Sequence, residues 1–263
     1  MHIGGYGDDL GTGLTALIKA ILADTDIPRL RLGSLEPWNI DANFFELFDN
    51  PRFMPHLHLP VQSGCDSVLQ RMGRRCRSAD FTRLAQDLGR HVPDLNITTD
   101  IIAGFPGETA AEWRQTLDFC RETGFPRIHV FPYSARAGTR AALLPGQLPP
   151  DVKKQRCREL HHLAAQMEHD YTRRFTGRDF KVLVESDTGE VNGQEVRFGY
   201  TPNYLRTALP VSGDFPRSNS IVTARIEDYD ERCATLVAQV QVSGTPGQPE
   251  ALPRLSRGIP AWR

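Results

Sequence analysis

The sequence predicts an α/β protein: an incomplete (βα) partial barrel with parallel strands, followed by a small antiparallel β-barrel of five strands. Apolar runs of strand length start near residues 29, 56, 97 and 127, each separated from the next by helical periodicity, which is how right-handed βα units build a parallel sheet. From residue 177 the texture changes to short alternating segments at 180–185, 195–198, 204–208, 220–226 and 233–242, set apart by turn residues. The composition is that of an ordinary globular chain of 263 residues, 40% hydrophobic and 24% charged. A formal net charge of -1 excludes bulk attraction to nucleic acid or membrane, so any such partner is held by local patches.

In chain order, Ile3-Gly4-Gly5-Tyr6-Gly7 reads as a turn at the end of a strand. An amphipathic helix over 13–23 follows from Leu14, Leu17, Ile18, Ile21 and Leu22, and a strand over 29–33 stops at Ser34-Leu35-Glu36-Pro37. A short Phe-rich helix spans 43–48, and a strand over 56–60 ends at Val61-Gln62-Ser63-Gly64. Helices are expected over 66–72 and 78–92, a strand over 97–103, a helix over 110–123, a strand over 127–131 and a long helix over 150–175.

The stretch Thr98 to Thr109 organises this first region. Its strand breaks at Gly104-Phe105-Pro106-Gly107, and a helix restarts with Thr109 as N-cap and Glu112 completing a capping box. Glycines at 104 and 107 suit positive φ or a close approach of backbone to a flat or anionic ligand, and the helix start aims free N–H groups at the same spot. Ligands of parallel sheets sit at the carboxyl ends of the strands, so Ser34, Glu36, Gln62, Ser63, Gly104, Glu108, Tyr133 and Ser134 are expected to line one rim. Each glutamate serves equally as a helix-start cap.

The five cysteines are scattered, without a CxxC or CxxxCxxC spacing, so neither a disulfide framework nor a thiolate cluster follows. The start lacks a basic segment followed by an apolar one and nothing reads as a membrane span, which makes the cytoplasm the expected compartment. His56 and His58 share one face of a strand, but without a third ligand nearby they read as structural or rim histidines, and no metal ligand is assigned.

Five segments in register resemble the radical S-adenosylmethionine methylthiotransferases: Ile3-Gly4-Gly5-Tyr6-Gly7, Arg31-Leu32-Gly33-Ser34-Leu35-Glu36-Pro37, 56–64 (His-Leu-His-Leu-Pro-Val-Gln-Ser-Gly), 100–109 (Asp-Ile-Ile-Ala-Gly-Phe-Pro-Gly-Glu-Thr) and 129–139 (His-Val-Phe-Pro-Tyr-Ser-Ala-Arg-Ala-Gly-Thr). They look most like the branch acting on threonylcarbamoyladenosine at tRNA position 37, rather than the isopentenyladenosine or ribosomal-protein branches. The resemblance implies a radical SAM partial barrel over 1–176 and a TRAM-like RNA-binding barrel over 177–243, and the Pro- and Gly-rich end with little apolar pattern reads as a disordered tail over 244–263. It also implies methylthiolation at C2 of the modified adenosine, with S-adenosylmethionine and 4Fe-4S clusters as cofactors. The pattern begins in its middle: the auxiliary-cluster domain, the first strand with its CxxxCxxC loop and most of the second strand are not matched. The cluster ligands are therefore expected to be absent here, and the missing half, as a separate chain, is a candidate partner.

By that resemblance Gly4 and Gly5 meet the cofactor's amino group, Gln62 and Ser63 its ribose or carboxylate, Ile102 and Gly104 its adenine face, and the Phe131 and Tyr133 backbone its adenine edge. For tRNA, the run Arg71, Arg74, Arg75 and Arg77 and the stripe Lys181, Arg197 and Arg206 beside Tyr204 are the candidate contacts. The barrel segment's bulk charge does not attract RNA, because 177–243 holds 7 basic and 10 acidic residues, a net of 7 − 10 = −3. The alternatives are an inactive RNA-binding remnant, another methylthiotransferase branch, and, with least support, a sugar-phosphate enzyme using the Gly104 turn.

Overall fold

In the computed structural model of the protein, residues 3–213 and 215–241 are described. The expected tail over 244–263 lies outside them, and with it any test of its order. The described chain divides into two compact units, one of 3–24 with 29–174 and one of 25–28 with 175–241.

The first unit opens with a 3-10 turn, Ile3–Gly5, and then helix α1, Leu14–Asp24, which buries Leu14, Ile18 and Leu22 along one stripe. The expected strand over 29–33 is not formed. This segment runs extended beside its neighbour and touches it at two isolated parallel bridges, Leu30 to Phe53 and Ser34 to His58. The bridge positions are offset by four in sequence on one side and by five on the other, and Pro55 in the longer arm has no N–H to give, so the ladder slips before it can propagate. Helix α2, Ala42–Phe45, is capped by Asp41, whose carboxylate accepts from the Phe44 N–H at 2.9 Å, and continues as a 3-10 turn, Glu46–Asp49.

Three strands pair in parallel in the order β1, β2, β3: β1 is His56–His58, β2 is Asn96–Ala103 and β3 is Arg127–Pro132. Helices α3 (Asp66–Arg71) and α4 (Ser78–His91) connect β1 to β2, α5 (Ala110–Thr123) connects β2 to β3, and α6 (Pro150–Arg173) follows. Strand alternation splits the sheet's two faces. Leu57, Ile97, Ile101, Ala103 and Ile128 bury against Leu69, Phe81, Leu88, Trp113, Phe119, Phe125 and Leu160 in one apolar core. The other face, called the inner face below, carries His56 and His58, then Asn96, Thr98, Asp100 and Ile102, then His129 and Phe131.

The second unit is a closed barrel of five strands in the order β4, β5, β6, β8, β7: β4 is Asp179–Val191, β5 Gln194–Tyr200, β6 Arg206–Pro210, β7 Ile221–Asp230 and β8 Thr235–Val240. The expected all-antiparallel barrel needs a correction, since β6 and β8 pair in parallel. Direction cannot alternate around a closed ring with an odd number of members, so a five-stranded closure forces one parallel pair. β4 is longer than expected and turns into β5 at Asn192-Gly193, both at positive φ, as a two-residue hairpin requires. Gly199 is fixed by sterics, because a Cβ there would stand 2.5 Å from the Leu183 carbonyl oxygen. Tyr204, expected in a strand, sits in the preceding turn at φ 62.

Candidate functional site

Glycine supplies what the turn after β2 needs: Gly104 lies at φ 80 and Gly107 at φ 74, and the Thr109/Glu112 capping box forms in full. What surrounds the turn is not a ligand space. A Cβ on Gly104 would meet Lys153 Cγ at 2.5 Å, so the vacant position is filled by the aliphatic stem of a lysine on α6. The Gly104 N–H donates to Glu108 Oε2 at 2.8 Å, the Gly107 N–H to the Gly146 carbonyl at 2.8 Å and the Thr109 N–H to Glu112 Oε2 at 2.8 Å. The N–H groups of Gly104, Gly107 and Thr109 are thus satisfied within the protein.

Glu108 is neither a rim ligand nor a helix cap. It is buried, ion-paired to the buried Arg156 of α6, and Arg156 also donates to its backbone carbonyl at 3.2 Å. Burial raises its carboxyl pKa, opposed by the Gly104 N–H and the Arg156 guanidinium, and its Oε1 has no partner among the described residues. Arg71 leaves the expected RNA patch for Glu112, reaching both carboxylate oxygens at 2.9 and 3.0 Å, and holds that carboxyl down at about 2.

Ser63 is fully buried, its hydroxyl 3.2 Å from Thr116 Oγ1 and accepting from the Cys65 N–H, so it does not reach a ribose. Tyr133 is also committed inward. Its N–H donates to the Ala103 carbonyl at 2.8 Å, its carbonyl accepts from Lys153 Nζ at 3.1 Å and its ring packs edge-on against Phe105. Gln62, half-buried at φ 77, continues the β1 to β2 pairing through backbone bonds to Asp100 and Ile102. Gly4 and Gly5 lie in the opening 3-10 turn, Ser34 is exposed, and Glu36 precedes the 3-10 turn Pro37–Asn39 without capping it by its side chain. Ile102 and Phe131 are cross-strand partners, and Phe131 is 50% exposed, so together they offer a flat apolar surface at the carboxyl end of the inner face.

Below that surface lies a polar row that the sequence pattern did not disclose. Arg31 Nη1 stands 3.4 Å from His56 Nδ1. A guanidinium only donates, so this nitrogen accepts and the His56 proton sits on Nε2, 3.4 Å from Thr98 Oγ1. The Thr98 hydroxyl accepts there and donates to His58 Nδ1 at 2.9 Å, which places the His58 proton on Nε2, 3.3 Å from Asp100 Oδ1. One direction runs through the whole row. Burial and the neighbouring Arg31 press the His56 pKa down to about 3, which keeps that imidazole neutral.

The expectation that His58 has no further metal-capable neighbour is corrected here, because Asp100 on β2 and His129 on β3 approach it. The ring of His129 lies 5.6 Å from that of His58, edge to face, and burial lowers its pKa against the pull of Asp100. His56 takes no part in that group. The period-2 run of polar residues, Asn96, Thr98 and Asp100, opposite the apolar Ile97 and Ile101, marks the polar face of β2 in the sequence but not the residues that meet it.

Of the remaining arginines, Arg75 and Arg77 are exposed and Arg74 half-buried, in the connection between α3 and α4. The barrel stripe splits. Strand pairing puts Arg197 opposite Leu209 and Arg206 opposite Tyr200, which places them on opposite faces, and Arg197 Nη1 donates to the Pro216 carbonyl at 2.8 Å. Arg206 stays outside, 3.6 Å over the Phe198 ring and 3.1 Å from Asp187, while Tyr204 stacks on Tyr200 at 4.5 Å. Lys181 is exposed. No helix among the described residues is long and apolar enough to cross a membrane.

Comparison with known proteins agrees with this architecture. Residues 3–120 match the family described as Radical SAM superfamily. The threonylcarbamoyladenosine tRNA methylthiotransferase MtaB of Thermotoga maritima is 41% identical over 70% of this chain and 43% of its own length. Its namesake in Bacillus subtilis is 34% identical over 81% of this chain and 48% of its own. A tRNA-2-methylthio-N(6)-dimethylallyladenosine synthase of Malacoplasma penetrans is 31% identical over 77% of this chain and 42% of its own. The chain therefore spans about half the length of the curated relatives it matches.

Proposed function

From the premise that this chain is related to the radical SAM tRNA methylthiotransferases, we propose that it serves methylthiolation of tRNA, at C2 of N6-threonylcarbamoyladenosine at position 37 of the anticodon loop. The observation that carries the substrate choice is the 41% identity to a protein named for that nucleoside, against 31%, 33%, 35% and 38% for four named for the dimethylallyl nucleoside.

Within the first unit, the apolar pair Ile102 and Phe131 fits a flat adenine ring, with Gln62 bonded to the Ile102 backbone beside it, and Ser34, Gly4 and Gly5 are the further groups we propose for the rest of S-adenosylmethionine. When bound together with a reduced 4Fe-4S cluster, that cofactor supplies radical chemistry. The cysteines present do not fit the cluster. Cys65 precedes α3, Cys76 lies between α3 and α4, Cys120 is on α5, Cys157 on α6 and Cys233 on the β7 to β8 turn, and among the described residues no three converge. We place the cluster ligands outside these residues and route no step through them. The same observation favours a second reading, an RNA-binding chain without catalysis of its own.

On the RNA side, Arg74, Arg75 and Arg77 are the phosphate ligands we propose, with Lys181, Arg206 and Tyr204 on the barrel exterior. Changing the three arginines to Ala should lower tRNA affinity and reduce the salt slope by roughly one unit for each phosphate no longer neutralised. Tyr204→Ala should lower affinity with the slope unchanged. The decisive experiment is nucleoside mass spectrometry on tRNA from cells with and without this gene. Loss of the methylthiolated threonylcarbamoyl nucleoside supports the proposal, and loss of the methylthiolated dimethylallyl nucleoside instead would reassign the branch. No change in either, with tRNA binding intact, would leave the second reading.

A further inference from the structure

We propose that His58, Asp100 and His129 form a binding site for a divalent transition-metal ion on the inner face of the parallel sheet. One ligand atom from each lies within 4.8 Å of the other two, and the three residues come from three adjacent strands, β1, β2 and β3. Asp100 pairs directly with His129 in the β2 to β3 register, while His58 pairs with Thr98, two positions before Asp100 on the same face. Backbone ladders hold such cross-strand neighbours at fixed spacing, so the grouping is imposed by the sheet and not by mobile loops.

The distances suit one ion. His58 Nε2 and Asp100 Oδ1 are 3.3 Å apart, and two ligands at tetrahedral bond lengths of about 2.0–2.1 Å stand roughly 3.3 Å from each other. His129 is the exposed member of the three, which lets its ring close the remaining gap. Two imidazoles and one carboxylate select zinc, iron(II), cobalt(II) or nickel(II), whereas calcium and magnesium take oxygen sets and iron-sulfur clusters take thiolates. Three protein ligands leave the ion an open coordination position.

Thr98 is the outer partner that orients His58, as metal-bound histidines require. For His58 to bind through Nε2, its proton must move to Nδ1, where it donates to the Thr98 hydroxyl, whose oxygen has lone pairs to accept from both His58 and His56. Every imidazole stays neutral, and the Arg31 to His56 hydrogen bond is kept.

Cobalt(II) absorption and zinc calorimetry on the untagged full chain test this. The expected result is one ion per chain, with Asp100→Asn and His129→Ala each weakening binding at least tenfold while thermal melts show both variants folded. His161→Ala, on α6, should change nothing. Absence of binding, or binding indifferent to Asp100→Asn and His129→Ala, would overturn the site.

Discussion

The turn at the carboxyl end of β2 and the inner face of the same strand are neighbours in sequence, and the fold completes them in opposite ways. At the turn, Gly104, Gly107, Glu108 and Thr109 look like a ligand cradle in sequence, yet the three N–H groups of Gly104, Gly107 and Thr109 donate to Glu108, Gly146 and Glu112, the Glu108 carboxylate pairs with Arg156, and the Lys153 stem fills the space beside Gly104. On the inner face, Asp100 and His129 look unremarkable in sequence, yet they come together beside His58 with coordination capacity to spare. A residue's chemistry becomes available to a ligand where tertiary packing leaves it unfinished, and local sequence character does not report that.

The sharpest way to break this contrast is to open the closed region. Arg156→Met should cost about 3–5 kcal/mol, because it strands the buried Glu108 carboxylate without its counter-charge. Urea unfolding measures it, and adding Glu108→Gln should recover most of the loss. Recovery failing would mean that Arg156 acts through its packing over Trp113 and not through charge.

Next in size is Gly104→Ala, at roughly 1–3 kcal/mol, since alanine is strained at φ 80 and its Cβ displaces the Lys153 stem. Combining it with Lys153→Ala should remove the steric part and leave the backbone part, which a melt of the double variant resolves.

The Glu112 carboxyl gives a pH signature. Arg71, with Ser67 and Thr109, holds it at about 2 against an ordinary 4.5, so its contribution is complete above 4.5 and is lost as pH falls toward 2. Arg71→Gln should flatten the stability profile in that window, and a profile unchanged between the two proteins would show that the pair adds nothing.

The smallest effect belongs to the open region. His129→Ala should stay within about 0.5 kcal/mol of the parent in metal-free urea unfolding, as for an exposed side chain with no buried partner to strand. A loss as large as that of Arg156→Met would erase the distinction between the two regions.

The sequence by itself determined whatever depends on residues within one turn of each other. The Thr109/Glu112 capping box, the positive φ at Gly104 and Gly107, the buried stripe of α1, the parallel strands near 56, 97 and 127 and the five-strand count of the second unit were all legible in it. The parallel pair of β6 and β8 was not, because it follows only from the closure of the five strands into a ring. Tertiary structure alone decided which groups meet across the chain: Lys153 in the space beside Gly104, Arg156 on Glu108, the failed ladder at 29–33 and the row from Arg31 to Asp100. Those pairings join segments that meet through register, and a slip of one residue would turn every side chain of a strand to the opposite face, so no local pattern specifies them.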